Sequence, residues 1–145
     1  MPVSIRPFRY LSLTYVSGFW SLITLLVLNS GPAYAEWVWI GDSASGTTTY
    51  ADPDTIRHKG ELVKMWHLFD RKTVETYRGG SFLSIKAQSE YDCAEERERS
   101  LAVMYHSGNM GSGKVVYINS NEGNWTPVPP GSTVQAMWKF ACGKQ

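Results

Sequence analysis

Three histidines, His58, His67 and His106, are the first residues whose type could support chemistry. Their spacing contains neither H-x-x-x-H nor H-E-x-x-H, the patterns that bring two imidazoles to one zinc ion on a helix. Two of the three could still meet beside an Asp or Glu in the folded chain and bind a metal. The spacing favours ordinary histidines on surface or half-buried strands, so we predict no metal site and no cofactor.

Other catalytic patterns are equally weak. Asp52 and Asp54 could form the carboxylate pair of a glycoside hydrolase, but Pro53 between them is typical of a turn. The segment 108–114 resembles a phosphate-binding loop, yet Val115 stands where such a loop has Ser or Thr. We predict a flexible loop for that segment. The sequence also lacks the G-x-S-x-G pattern that positions a serine nucleophile. We therefore predict no catalytic residue and no enzyme activity.

The two cysteines, Cys93 and Cys142, are the only ones in the chain. In an exported protein an isolated pair favours a disulfide, because the periplasm and the extracellular space are oxidising. Closing a loop of about 50 residues would stabilise the fold by roughly 4 kcal/mol. A redox pair or a pair of metal ligands is the alternative, although neither cysteine has a C-x-x-C neighbour.

The first 35 residues have the pattern of an export signal. Arg6 and Arg9 precede the apolar run 19–28, and Ala33-Tyr34-Ala35 offers small residues for cleavage between Ala35 and Glu36. An uncleaved membrane anchor is the alternative, but the apolar run is about half of the ~20 residues that a span needs. No cysteine lies near the cut, which argues against lipoprotein anchoring. We predict a periplasmic or secreted protein with no membrane span after cleavage.

Residues 36–145 have the length of one domain and carry 12 Lys and Arg against 13 acidic residues. Acidic and basic side chains are interspersed, so the basic patch of a nucleic-acid-binding protein is missing. The sequence thus excludes nucleic acid as a partner.

Strand patterns dominate this domain. Residues 36–40 and 47–51 are rich in Trp, Val, Thr and Tyr around the turn-forming segment 41–46, which predicts a hairpin. A turn or single helical turn is expected at 52–55. Three further strands are predicted at 62–69, 101–106 and 115–119, with a loop at 107–113. Residues 82–93 alternate and predict one buried face, made of Leu83, Ile85, Ala87, Tyr91 and Cys93.

The C-terminal segment changes to helical periodicity. An apolar stripe repeats at helical spacing, and it consists of Val134, Met137, Trp138, Ala141 and Cys142. Ser132 and Gln135 form a capping box before it, and Gly143 can end it. We predict an α+β fold: a single antiparallel sheet of about six strands packed by a C-terminal helix, with one disulfide.

Two groups of residues are candidates for an interaction surface. Arg97 and Arg99 lie in a charge run that usually forms a solvated face, although they could pair with acids on a neighbouring strand or on a partner. Trp37 and Trp39 share one strand face, where burial in the core is favoured over an exposed aromatic patch.

Several short motifs, taken together in order, resemble the surface-adhesin protein E-like family over nearly all of residues 36–145. They are Trp37-x-x-Ile40, Tyr50-x-Asp52, Ile56-x-x-x-Gly60, Val63-x-x-Trp66, Ser84-x-Lys86, Glu90-Tyr91-Asp92-Cys93, Arg97-x-Arg99-x-Leu101, Tyr105, Met110-Gly111-x-Gly113, Trp125-x-x-Val128, Pro130-Gly131-Ser132 and Cys142. The resemblance implies a sheet with a C-terminal helix, the Cys93–Cys142 bridge and a non-enzymatic role. It also implies partners of the extracellular-matrix or serum type, and dimerisation.

The sequence as a whole predicts a non-catalytic exported domain. It would serve as an adhesin-like protein-binding module or a structural module of the envelope, with a protein partner and a homodimer as candidate assemblies. The alternative hypothesis is a periplasmic carrier of a small ligand or metal that uses the tryptophan-rich sheet.

Overall fold

The computed structural model describes residues 36–145. The predicted export signal, and with it Ala35 of the cleavage site, lies outside the described residues. Among the residues that are described, no helix combines the length and the apolar character that crossing a membrane requires.

The described chain forms one antiparallel sheet and one α-helix. The strands are β1 (Val38–Asp42), β2 (Thr47–Lys59), β3 (Leu62–Tyr77), β4 (Gly80–Asp92), β5 (Arg97–His106), β6 (Val115–Asn119) and β7 (Thr126–Pro127), and the helix is α1 (Thr133–Cys142). Strands β1 to β6 lie side by side in chain order, and β7 pairs with β5. The predicted α+β architecture is confirmed.

The β1–β2 hairpin forms as predicted, but the turn expected at 52–55 does not end β2. The strand continues through a bulge, because its pairing with β3 shifts register between Asp52 and Arg57. A bulge is one of the few places in a sheet that tolerate Pro53, which has no N–H to donate. Turn-like hydrogen bonds are present inside it: Asp54 N donates to Asp52 Oδ1 at 3.1 Å, and Thr55 Oγ1 donates to the Asp52 carbonyl at 2.7 Å.

The central strands are longer than predicted. Strand β3 runs on past Phe69 to Tyr77, and the end of the β3–β4 hairpin, residues 72–79, is exposed to solvent. Arg78 and Gly79 turn the chain with φ angles of 49° and 81°, the conformation that a two-residue hairpin loop needs.

Helix α1 begins and ends at the predicted caps. Ser132 Oγ accepts a hydrogen bond from Gln135 N at 3.1 Å, and Gly143 ends the helix with a φ of 65°. The Gln135 side chain accepts from Gly131 N at 2.8 Å, one residue earlier than in a standard capping box.

The core lies between α1 and one face of the sheet, here called the helix face. Its buried members are Ala51, Val63, Met65, Tyr91, Cys93, Val128, Met137, Trp138 and Ala141. The predicted Cys93–Cys142 disulfide is confirmed, with Cα atoms 5.7 Å apart and a sequence separation of 49. Trp138 Nε1 also donates to the Asp92 carbonyl at 2.9 Å, which fixes the helix next to the bridge.

The burial predicted for β4 is partly wrong. Ala87, Tyr91 and Cys93 are buried as predicted, but Leu83 and Ile85 are half-exposed while Ser84 is fully buried. The cause is the β5–β6 loop, which folds over the other side of the sheet there. Ser84 Oγ donates to the Gly108 carbonyl at 2.5 Å and accepts from Gly111 N at 2.9 Å. Alternation identifies two faces, but it does not say what covers each of them.

Candidate partner-binding face

The side of the sheet opposite α1, here called the open face, displays one row of side chains that crosses all six strands. Cross-strand pairing aligns Trp39, Tyr50, Leu68, Lys86, Met104 and Ile118 from β1 to β6. The short 3₁₀ turn Asn109–Gly111 of the β5–β6 loop covers the middle of this row, where Leu68 is fully buried and Gly111 lies against Leu68 and Lys86. The two ends of the row, Trp39 and Ile118, are therefore the parts most accessible to a ligand or a partner.

The structure places Trp37 and Trp39 on the open face. Ile40 packs against the core beneath α1, so the alternation of β1 sends both indoles to the other side. Trp39 is 59% exposed, and Trp37 is half-buried. The preference for a buried position is wrong for Trp39, because β1 is an edge strand with no second layer over this side.

Arg97 and Arg99 both pair with acids on the neighbouring strand, although the Arg97 side chain remains 42% exposed. Arg97 Nη2 lies 3.0 Å from Asp92 Oδ2, and Arg99 Nε donates to Glu90 Oε2 at 2.7 Å. Both pairs join residues directly opposite each other on β4 and β5. Both ion pairs could have been recognised in the sequence. The members of each pair lie at equal distances from residues 93–96, so a hairpin turn at those residues brings them opposite each other.

Trp125 completes this group, which we call the arginine ladder: Glu90, Asp92, Arg97, Arg99 and Trp125. The guanidinium carbons of Arg97 and Arg99 lie 5.0 and 4.5 Å from the indole centroid, within cation–π range. Lys64 and Glu122 extend the ion pairs on either side. Sequence reasoning missed the role of Trp125, because only the pairing of β7 with β5 brings it here.

The Asp92 carboxyl shows how the ladder balances burial against hydrogen bonding. Burial raises its pKa, but hydrogen bonds from the Glu95 and Ala94 N–H groups and from Arg97 outweigh this, so the pKa lies below its ordinary value. The carboxylate is thus held in its charged form at the turn between β4 and β5.

A pocket of about 180 Å³, here called the open-face pocket, lies in the middle of the same side. Its lining consists of Trp37, Asp52, Thr55, Trp66, Lys86 and Met104. The bulge in β2 builds one wall, because Thr55 Oγ1 accepts from Trp66 N at 2.9 Å and so holds the bulge against β3. Asp52 is only 6% exposed.

Lys86 is held in place above this pocket. Its ammonium lies 5.7 Å from the centroid of the Trp37 ring. Its aliphatic stem runs beneath Gly111, where an added Cβ would come within 2.7 Å of Lys86 Cδ. Gly111 also has a φ of 71°, a conformation that favours glycine. The β5–β6 loop therefore positions one charged group of the open-face pocket.

The sequence profile of the surface-adhesin protein E family matches residues 37–143. The chain belongs to this family. Solved structures of Haemophilus influenzae protein E share its fold: crystal form II has a TM-score of 0.60 at 11% identity, covering 76% of this chain and 89% of that one. A second structure of the same protein gives a TM-score of 0.58 at 10% identity, covering 76% and 86%. No curated protein sequence matches this chain.

The histidines of this family member do not gather at the open-face pocket. His67 and His106 are buried rather than half-buried, and His58 is exposed. Burial lowers the pKa of His67 to about 4, because the protonated imidazole would lose its hydration on the helix face. Burial, together with the charge of Lys86, lowers the pKa of His106. Within residues 36–145, no group of three metal-ligating side chains comes together.

The 107–113 loop of this protein E-like domain is anchored, contrary to the expectation of a flexible loop. Met110 N and Asn109 Nδ2 both donate to Asp70 Oδ1, at 2.7 and 3.1 Å. Together with the Ser84 bonds, these contacts hold the loop to β3 and β4. Asp54, the second member of the hypothetical carboxylate pair, is exposed, whereas Asp52 faces the open-face pocket.

Proposed function

We propose that this domain is a non-catalytic, exported binding module of the adhesin type, which holds a protein partner against its open face. The observation that carries the proposal is the exposure of large apolar side chains at both rims of that face. Trp39 on β1 is 59% exposed and Ile118 on β6 is 61% exposed. Both belong to the row that crosses the sheet.

This arrangement has the composition of a protein interface. Single exposed apolar residues are common, but large ones exposed at both ends of one sheet face indicate a contact surface. Tryptophan is enriched among the residues that carry binding energy, and arginine is enriched with it. The arginine ladder lies on the same face as Trp39, so apolar anchors and a charged border occur together.

A non-catalytic role is supported by the family and by the position of the histidines. The imidazole of His67, a candidate general base, is 3% exposed on the helix face and would not reach a substrate. A carrier of a small ligand is a second candidate function, and the open-face pocket favours it.

Export and self-association complete the proposal. Residues 1–35 would act as a signal peptide cut between Ala35 and Glu36, and residues 36–145 would then be periplasmic or secreted. The outer edge of β1 has no strand partner among the described residues, and such edges can pair with a second copy. A homodimer through β1 would leave β6 and most of the open face available.

The test is partner capture from envelope extract and from a panel of extracellular-matrix proteins. Ile118→Asp should reduce capture at least about tenfold, because it places a charge in an apolar contact. Val74→Asp is the matched control, since Val74 is 62% exposed but lies at the far end of the β3–β4 hairpin. Equal capture by the two variants and the parent protein would contradict the proposal.

A further inference from the structure

We propose that the open-face pocket is a subsite for one neutral sugar ring, a pyranose unit of a glycan carried by the partner. This inference rests on the proposed function, because it names the chemistry that the partner presents to the same face. Its three supporting observations are the aromatic walls, the unpaired carboxylate oxygen of Asp52 and the positioned ammonium of Lys86.

The walls suit the apolar side of a sugar ring. Trp37 and Trp66 contribute indoles, and Met104 contributes a thioether. Large flat aromatic rings offer apolar area at low conformational cost, and the indole N–H can still donate a hydrogen bond. The volume of about 180 Å³ is below the ~300 Å³ at which sites for drug-sized ligands begin. The pocket therefore fits a single ring rather than a larger molecule.

Asp52 supplies an acceptor that lacks its full set of donors. Its Oδ1 accepts from Asp54 N at 3.1 Å, and no described residue donates to Oδ2. The residue as a whole is 6% exposed, but Oδ2 keeps contact with solvent, so a donor from a ligand can replace water at this oxygen. A ligand with hydroxyl groups brings such donors, because each hydroxyl both donates and accepts.

Lys86 supplies the complementary donor. Lys86 and Asp52 both line the open-face pocket, and none of the ion pairs between described residues joins them. Together they sum to zero charge, which favours a neutral ligand over an anion or a cation. Neighbouring hydroxyls of one ring can donate to Asp52 and accept from Lys86.

A proline-rich peptide, the other usual occupant of an aromatic-lined groove, fits less well. Proline has no N–H, so such a segment would offer mainly carbonyl oxygens to Asp52, which is itself only an acceptor. Addition of a peptide strand is also excluded at the pocket, because β2, β3 and β4 are each paired on both sides.

The experiment uses protein exported by its own N-terminal segment and purified from the cell envelope. Ligand-observed NMR and calorimetry would measure binding of the tetramer of N-acetylglucosamine, a bacterial-wall type of glycan, and of N-acetyllactosamine, a host type. A dissociation constant of roughly 1–10 mM is expected for one ring. Asp52→Asn should weaken binding at least about tenfold, since the lost bond involves a charged acceptor.

Asp54→Asn is the matched control, because Asp54 lies two residues away in the same bulge and is exposed. It should bind the glycan as the parent protein does. If Asp52→Asn fails to fold, Lys86→Met is the second variant, and it should also weaken binding. Binding of either glycan supports the inference, and which one binds identifies the source.

No binding of either glycan at about 20 mM, or equal binding by Asp52→Asn, would overturn the inference. Binding of a proline decapeptide in place of both sugars would overturn it too, and would assign the pocket to a peptide. Enzymatic deglycosylation of a captured partner separates the two proposals. If capture survives deglycosylation and is lost in Ile118→Asp, the protein-binding function stands and the sugar subsite does not.

Discussion

The two faces of this sheet are built from the same strands but by different means. On the helix face, apolar side chains such as Val63 and Met65 are fully buried beneath α1, and a disulfide fixes the helix to the end of β4. On the open face, Leu68 is buried beneath the β5–β6 loop, but elsewhere carboxylates pair with arginines and Trp39 remains accessible.

The difference separates stability from recognition. A face closed by close packing contributes most of the hydrophobic free energy of folding, and it has no surface left to offer a partner. A face held by ion pairs and half-exposed aromatic rings contributes less to folding, but its side chains are already oriented toward solvent. Substitutions on the helix face should therefore unfold the domain, whereas most on the open face should alter binding.

Breaking the disulfide is expected to have the largest effect on stability. The double variant Cys93→Ala, Cys142→Ala should lose about 4 kcal/mol of unfolding free energy, because the unfolded chain regains a loop of about 50 residues. Urea unfolding followed by tryptophan fluorescence measures this loss. Reducing agent should lower the urea midpoint of the parent and leave that of the variant unchanged, since the chain has no other cysteine.

An unchanged midpoint after reduction would show that the helix face is held by packing alone. The contrast between the two faces would then lose its covalent component.

Acid should weaken the helix face through His67. The pKa of this imidazole is about 4 in the folded protein against 6.5 for the ordinary side chain, so the unfolded chain binds the proton more readily in between. The contribution of neutral His67 to the free energy of unfolding is therefore complete above pH 6.5. As the pH drops toward 4, this contribution is lost, by up to about 3 kcal/mol. Urea unfolding at pH 7.5, 5.5 and 4.5 measures the slope.

His67→Gln should flatten that slope because glutamine does not titrate, whatever its effect on absolute stability. His58→Gln is the matched control, since His58 is exposed at the end of β2. Identical slopes in the two variants would refute the assignment. His106 and Asp92, whose pKa values are also lowered, contribute to the slope that remains in His67→Gln.

The sequence predicted the helix face better than the open face, for a physical reason. The helix face follows from local rules: the 3.6-residue stripe, the Ser132 cap and a pair of cysteines in an exported chain. Each of these operates within a few residues or through covalent chemistry, so one sequence is enough to recognise it.

The open face depends on register, which is not local. The bulge at Asp52 and a second irregularity opposite Gln88 decide which side chains meet across β2 to β5. Without the irregularity opposite Gln88, Glu90 would pair with Ser100 instead of Arg99, and the Arg99 side chain would lie on the other face of the sheet. The coverage of Ser84 by a loop 24 residues later could not be read from the alternation of β4 either.

The arginine ladder is an exception on the open face, because the Glu90 carboxylate in it is buried and paired, as in a core. Arg99→Met tests whether this pair stabilises the fold. Glu90, whose side chain is 6% exposed, would keep only Lys64, at 3.9 Å. Removing one partner of a buried pair costs several kcal/mol, and the 21% exposure of Arg99 reduces the expected loss to about 2 kcal/mol. The double variant Arg99→Met, Glu90→Gln should recover part of that loss, because no buried charge is left unpaired.

Trp39→Ala is the open-face control for this cycle, with an expected change within about 0.5 kcal/mol because most of its indole is already in water. If Arg99→Met is as neutral as Trp39→Ala in urea unfolding, the whole open face is dispensable for folding. A loss above about 1 kcal/mol for Trp39→Ala would instead mean that the rim belongs to the folding core, and the division between the two faces would fail.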